Sequence, residues 1–110
     1  MKRGDIVTVA IPGDWGKPRP AVVVQSDLFA ETHSSILTCP LTSELHHGAV
    51  LFRIPVAPSQ RNGLKTRSEI MVDKTTPLRR EKIGKQIGTL EEDALWQLNQ
   101  SLALFLGLVP

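Results

Sequence analysis

Short apolar segments separated by turn-forming residues run through the first 73 residues of the chain and limit the folds open to it. The segments are rich in Val, Ile, Leu and Thr, and Pro, Gly, Asn or Ser bounds them, which is typical of β-strands. Five or six such strands joined by turns predict a small antiparallel barrel. The predicted strands are residues 6–11, 21–26, 35–41, 49–56 and 70–73, and the turn signals are residues 12–14, 47–48 and 62–63.

The apolar pattern changes period near the end of the chain and predicts an α-helix there. Thr89 followed three residues later by Glu92 fits a capping box, and Gly107 is a stop signal. Trp96 and Leu104 lie off the main apolar stripe, so they pack either against the core or against a partner chain. The stripe consists of Leu95, Leu98, Leu102 and Phe105, and Gln97, Asn99, Gln100 and Ser101 occupy much of the remaining surface.

Length and composition are those of one globular domain, expected to extend over residues 1–110. Apolar residues make up 41% and charged residues 22%, a balance that excludes a disordered chain. Cys39 is the single cysteine, so no internal disulfide can form. The chain lacks the roughly 20 consecutive apolar residues that cross a membrane, and residues 1–5 (MKRGD) do not read as a signal peptide. We therefore expect a cytoplasmic protein with no membrane association.

Positive charge is concentrated in one part of the chain. The formal net charge is only +2, but residues 61–85 carry eight basic and three acidic side chains. Such a segment can attract a polyanion, because each neutralised phosphate releases condensed counterions. A solvated loop rim with no partner explains the charge equally well.

Arg19 is the first candidate for chemistry, because prolines flank it on both sides. Pro18 has a fixed φ, and Pro20 excludes the residue before it from helical geometry, so the arginine is held stiffly at the start of a strand. A planar guanidinium with five donors suits a phosphate or a phosphorane-like transition state. The structural alternative is an ion pair with Asp5 or Asp27.

Thr42 and Ser43 are the second candidates. Strand alternation would turn Leu37, Cys39 and Leu41 toward the core, and residues 38, 40 and 42 toward a groove. The hydroxyls could then donate to phosphate oxygens. Alternatively, both residues simply begin a turn.

Asp73 stands at the end of a predicted strand, where it could accept a proton or form a salt bridge with Lys74 or Arg19. The three histidines, at positions 33, 46 and 47, fall in predicted loops, where histidine is mostly inert. The sequence contains no metal-ligand spacing of Cys and His, no phosphate-binding glycine loop and no Gly-x-Ser-x-Gly elbow. We therefore expect neither a metal nor a cofactor.

Taken in order along nearly the whole chain, these features resemble the MazF/PemK (Kid) family of toxins from bacterial toxin-antitoxin modules. The segments that carry the resemblance are residues 3–7 (RGDIV), 19–24 (RPAVVV), 41–43 (LTS), 68–74 (SEIMVDK) and 106–108 (LGL). The resemblance implies a mainly β fold, an SH3-like antiparallel barrel with a C-terminal α-helix, and a homodimer.

The resemblance also implies ribosome-independent, metal-independent cleavage of single-stranded RNA at a short sequence. In this reaction the ribose 2′-hydroxyl attacks the adjacent phosphorus and gives a cyclic phosphate and a free 5′-hydroxyl. By position, Arg19 and Thr42 match the catalytic pair of the family. A cognate antitoxin of the MazE/PemI type would cover the basic groove with an acidic tail. The candidate substrate-binding residues are Trp15, Lys17, Ser43, Ser68, Asp73 and Lys74.

Two departures from the family pattern concern the site. The loop at residues 12–17 lacks a Glu-Gln pair often present there and offers Trp15, which could stack on an unpaired base or cover the core. Met71 stands where one branch of the family has an arginine. Two other functions remain open: a CcdB-like gyrase poison, although residues 106–110 hold no Trp, and a barrel that binds RNA without cleaving it.

Overall fold

Seven β-strands and one C-terminal α-helix make up the computed structural model, which describes residues 1–10, 17–46, 48 and 51–110. This confirms the mainly β prediction with its terminal helix. The elements are β1 (Asp5–Val9), β2 (Arg19–Val23), β3 (Ser35–Thr42), β4 (Arg53–Val56), β5 (Ser68–Met71), β6 (Thr76–Arg79), β7 (Ile83–Thr89) and α1 (Glu92–Phe105). No helix in these ranges is long and apolar enough to cross a membrane.

All pairings among the described strands are antiparallel, and β3 is the centre of the sheet. The strand order is β4-β5-β3-β2-β1-β7, and β6 pairs with β3 as well. In the described part of the chain β4 and β7 stand at the two ends of this path, so the strand order is open rather than a closed ring. Because β3 pairs with β2 along one half and β5 at its end, residues of β2, β3 and β5 meet near Thr42.

The sheet has apolar packing on both faces. One face, with Ile6, Cys39 and Ile70, packs against α1 through Leu98, and the other holds a smaller cluster that includes Val9 and Ile36. Burial raises the pKa of the Cys39 thiol. The alternation predicted for β3 is correct for Cys39 and Leu41, but Thr38 is buried and donates to the Thr76 carbonyl rather than facing a groove.

Two strands of the structure, β6 and β7, lie in a stretch that the sequence patterns left without secondary structure. Strand β6 contains a proline, and β7 contains two glycines among polar residues, so both have low β propensity. The glycines are needed for close packing, since a Cβ on Gly84 would lie 2.4 Å from Thr8 Oγ1 and one on Gly88 2.3 Å from the Asn62 carbonyl carbon. Tertiary contact therefore overrides local propensity here.

The boundaries of the other strands differ by a few residues from those that the sequence predicts. Strand β4 begins at Arg53, because Leu51 and Phe52 form a turn, and residues 49 and 50 of the predicted strand lie outside the described residues, as does Ile11. Strand β2 occupies Arg19–Val23 rather than residues 21–26. Strand β5 ends at Met71, so Asp73 lies in a short 3-10 turn that follows it.

The helix ends as predicted, but it begins differently. Gly107 has φ of 75°, and the Leu108 N–H donates to the Ala103 carbonyl, a terminating pattern that glycine favours. The predicted capping box is wrong: Thr89 is the last residue of β7, and Glu91 occupies the N-cap without capping the helix through its side chain. Thr89 pairs with Asp5 in the sheet, and its hydroxyl donates to the Asp5 carboxylate at 3.4 Å instead of capping the helix.

The helix surface divides into a buried and an exposed side. Leu98 and Ser101 are buried, and the Ser101 hydroxyl donates to the Leu51 carbonyl, so Ser101 does not belong to the polar surface. Trp96 is 64% exposed and Leu104 is 44% exposed. These two residues therefore do not pack into the core, which leaves the partner-chain alternative.

Candidate nucleic-acid interface

Arg19 is the first residue of β2 and lies opposite Val9 of β1. The side chain is exposed, and the flanking Pro18 and Pro20 give the backbone the stiffness expected from the sequence. The two carboxylates considered as ion-pair partners hold the amino-terminal segment: Asp5 accepts from the Lys2 N–H at 2.8 Å, and Asp27 accepts from the Arg3 N–H at 2.7 Å.

The sheet register brings Thr42 to Arg19. Strands β2 and β3 pair Ala21 with Pro40, and this antiparallel register, continued by two residues, sets Arg19 opposite Thr42. Both residues line one depression of about 250 Å³, which we call the Arg19–Thr42 depression. Its other lining residues are Pro40, Leu41, Ser43, Glu44 and Met71.

Two hydrogen bonds fix the corner that follows β3. The Thr42 hydroxyl oxygen accepts from the Glu44 N–H at 3.1 Å, so the turn expected at this position forms. The hydroxyl hydrogen is still able to point into the depression, where a phosphate oxygen could accept it. Glu69, directly across from Thr42 on β5, is buried and accepts from the His46 N–H at 2.9 Å, which holds the far end of the corner.

A second depression, of about 390 Å³, adjoins the first at Arg19. We call it the lysine-rimmed depression. It shares Arg19, Leu41 and Ser43 with the first, so the guanidinium stands where the two meet. The described lining residues are Thr8, Pro18, Arg19, Pro20, Leu41, Ser43, Gly63, Leu64, Lys65, Thr66, Ser68, Lys85 and Ile87.

The loop between β4 and β5, residues 57–67, forms one wall of the lysine-rimmed depression, and Asn62 holds it in place. Asn62 is fully buried. Its side-chain NH2 group donates to the Ala57 carbonyl at 2.8 Å and to the Glu91 carboxylate at 3.0 Å. Its side-chain oxygen accepts from the N–H groups of Ser59 and Leu64. The Ser59 hydroxyl bonds the same Glu91 carboxylate at 2.6 Å, and these hydrogen bonds lower the pKa of Glu91.

The structure brings some of the predicted site residues together and places others elsewhere. Arg19, Thr42, Ser43 and Ser68 line the two joined depressions, and Ser68 is buried with its hydroxyl donating to the Thr66 carbonyl at 3.1 Å. Lys17 and Lys74 are exposed and belong to neither lining. Trp15 and His47 lie outside the described residues.

Asp73 lies elsewhere, in a third depression formed with α1. It forms a salt bridge with Arg53 of β4, in which Nε and Oδ1 are 3.2 Å apart. The alignment of that atom pair is poor for a hydrogen bond, and a second contact joins Nη2 to Oδ2 at 3.4 Å. The salt-bridge interpretation is therefore correct, with a partner that the sequence did not indicate.

The residues that sequence reasoning missed are Lys65, Lys85 and Thr8. Both lysines belong to the basic segment 61–85, but nothing local separates them from its other members. Arg61 and Arg80 of the same segment donate to the carbonyls of Leu90 and His33, so they brace the fold instead. Within the described ranges no cluster of His, Cys, Asp or Glu is placed to hold a metal ion.

Comparison with known proteins agrees with this fold. The family described as PemK-like, MazF-like toxin of type II toxin-antitoxin system matches residues 2–106. The chain therefore belongs to that toxin family. It is 38% identical over 109 residues to a probable endoribonuclease MazF of Mycolicibacterium smegmatis, and the match covers 98% of both chains.

Solved structures show the same fold at low sequence identity. An endoribonuclease in complex with its cognate antitoxin, from a mycobacterial species, superposes with a TM-score of 0.83 at 18% identity, covering 100% of this chain and 98% of the other. The Mycobacterium tuberculosis toxin MazF-mt6 gives 0.79 at 19% identity, covering 94% and 96%. MazF from a MazE-MazF complex of Deinococcus radiodurans gives 0.78 at 19% identity, covering 99% and 98%.

Proposed function

We propose that this toxin is a ribosome-independent, sequence-specific endoribonuclease that cleaves single-stranded messenger RNA in the cytoplasm. The observation that carries the proposal is the depression of about 250 Å³ that Arg19 and Thr42 both line, because it brings a permanent cation and a hydroxyl donor together. The relative from Mycolicibacterium smegmatis, named a probable endoribonuclease, supports the same activity.

In the proposed reaction the ribose 2′-oxygen bonds to the adjacent phosphorus, and the bond from phosphorus to the 5′-oxygen breaks. The 2′-hydroxyl proton leaves to a base, and the departing 5′-oxygen gains a proton, so the products are a 2′,3′-cyclic phosphate and a 5′-hydroxyl. Arg19 neutralises the charge that grows on the phosphoryl oxygens, and Thr42 donates to one of them. The flanking prolines restrict the backbone of Arg19, and the bond from the Glu44 N–H holds the Thr42 hydroxyl oxygen, so part of the positioning is in place before the substrate arrives.

The predicted substrate-binding residues fall into two groups, those that line the depressions beside Arg19 and those that do not. Ser43 and Ser68 line the depressions beside Arg19 and are proposed to contact the RNA. Lys17, two residues before Arg19, and Lys74 remain predictions, as do stacking by Trp15 and any contact by Asp73. A cognate antitoxin with an acidic segment is the proposed inhibitor, since relatives of this fold include an endoribonuclease bound to its antitoxin.

A homodimer is proposed on the exposed apolar side of α1. Leu106 is 60% exposed and Leu108 is 73% exposed, and the same terminal segment also exposes Trp96 and Leu104. An apolar surface of this kind marks a protein interaction site. Sedimentation equilibrium should therefore give twice the chain mass of 12.1 kDa, and a Trp96→Glu variant should shift the mass toward the monomer. A monomeric wild-type protein at micromolar concentration would contradict the proposal.

The activity is tested by incubating the purified protein with a long single-stranded RNA in the presence of EDTA. We expect discrete fragments with 2′,3′-cyclic phosphate and 5′-hydroxyl ends, and growth arrest when the chain is expressed without an antitoxin. Intact RNA would contradict the proposal. DNA breaks trapped with purified gyrase, and no RNA products, would instead support the CcdB-like alternative.

A further inference from the structure

The lysine-rimmed depression differs from the Arg19–Thr42 depression in size and in the charge of its lining residues. Among its described lining residues are three cations, Arg19, Lys65 and Lys85, and no Asp or Glu. Its floor is apolar, with Leu41, Leu64 and Ile87 among the lining residues. An apolar floor with a cationic rim is complementary to a nucleotide, which has a flat apolar face and flanking anions.

The size of the space agrees with one nucleoside. A volume of about 390 Å³ is at the small end of the roughly 300–1,000 Å³ of ligand sites. Because Arg19 belongs to both depressions, a phosphate at Arg19 would have its neighbouring nucleotide in this space.

The two lysines come from distant parts of the chain, and each is mounted on fixed backbone. Lys85 belongs to β7, and its N–H donates to Thr8 Oγ1 at 3.2 Å. Lys65 follows buried Leu64, whose N–H donates to the Asn62 oxygen at 3.0 Å. The backbone is held while both side chains remain exposed, an arrangement suited to contacting phosphates from the rim.

We propose that the lysine-rimmed depression binds the nucleotide next to the scissile phosphate, and that Lys65 and Lys85 each neutralise one backbone phosphate of the RNA. This inference rests on the proposed ribonuclease function and adds two residues that set RNA affinity. Since neither lysine touches the reacting atoms, removing them weakens binding of substrate and transition state alike. The expected signature is thus a higher KM at unchanged kcat.

The salt dependence of kcat/KM on one RNA substrate tests the proposal. For single strands, log affinity falls with log salt by about 0.7 for each neutralised phosphate. We expect Lys85→Gln and Lys65→Gln each to reduce the slope by about 0.7, and the double variant by about 1.4. Lys85→Arg keeps the charge and should retain the wild-type slope.

Lys82→Gln is the matched control, because Lys82 is an exposed lysine of the same basic segment that lines neither depression. It removes the same net charge and should leave the slope unchanged. The proposal is overturned if the Lys65 and Lys85 variants have the slope of the Lys82 variant while RNA is still cleaved. It is equally overturned if these variants weaken only the binding of an acidic antitoxin peptide. Absence of cleavage by the wild-type protein would instead refute the ribonuclease function itself.

Discussion

Replacing Arg19 with alanine is expected to lower the RNA cleavage rate by about 10²–10³-fold, the usual loss when one preorganised donor to transition-state charge is removed. The exposed side chain lies at the start of a strand and outside both apolar clusters, so its loss should lower the free energy of unfolding by no more than about 1 kcal/mol, the usual contribution of an exposed ionic interaction. Single-turnover cleavage kinetics and thermal unfolding measure the two quantities separately.

Two further variants make this test specific. Arg19→Lys keeps the charge but loses the planar fork of donors, so an intermediate rate is expected. Arg79→Ala removes another exposed arginine at a strand end, opposite Ser35 and outside both depressions, and should cleave at the wild-type rate. Wild-type cleavage by Arg19→Ala would remove Arg19 from the mechanism and leave the Arg19–Thr42 depression without a catalytic role.

Replacing Gly63 with alanine is expected to destabilise the protein by about 3 kcal/mol, through two separate effects. Gly63 has φ of 70°, a left-handed conformation that costs an L-residue about 1–2 kcal/mol. A Cβ there would also lie 2.0 Å from the Ile87 carbonyl oxygen, so the 57–67 loop must move away from β7. That movement disturbs the hydrogen bonds of neighbouring Asn62, each of which contributes about 1 kcal/mol.

Gly107→Ala is the matched control for Gly63→Ala. Its φ of 75° is nearly the same, but nothing lies within 4 Å of the Cβ position, so only the conformational cost remains. A loss of 1 kcal/mol lowers the midpoint temperature of thermal unfolding, Tm, by about 4 °C in a domain of this size. We therefore expect Tm to fall by about 12 °C for Gly63→Ala and by about 4–8 °C for Gly107→Ala. Equal shifts for the two variants would mean that the close approach to Ile87 has no energetic consequence.

The sequence predicted the parts of the fold that depend on local pattern. The apolar strands up to Met71 and the terminal helix were predictable because the spacing of apolar residues within each segment indicates its secondary structure. Gly107 was predicted as the helix stop because the requirement for positive φ is local. Strand β7 could not be predicted, since its two glycines lower its propensity and acquire a reason only when Thr8 and Asn62 pack against them.

In the candidate site, too, some features were predictable from the sequence and others depend on the tertiary structure. The sequence by itself determined that a stiff arginine and a turn-forming threonine exist at positions 19 and 42, because prolines and strand alternation act within a few residues. Only the tertiary structure decided that Lys65 and Lys85 stand beside that arginine and that Asp73 pairs with Arg53. These partners are about 20 or more residues apart along the chain, and the sheet register and the buried Asn62 fix their positions. The spacing of residues along the sequence cannot predict these contacts, because they form only when the strands pair.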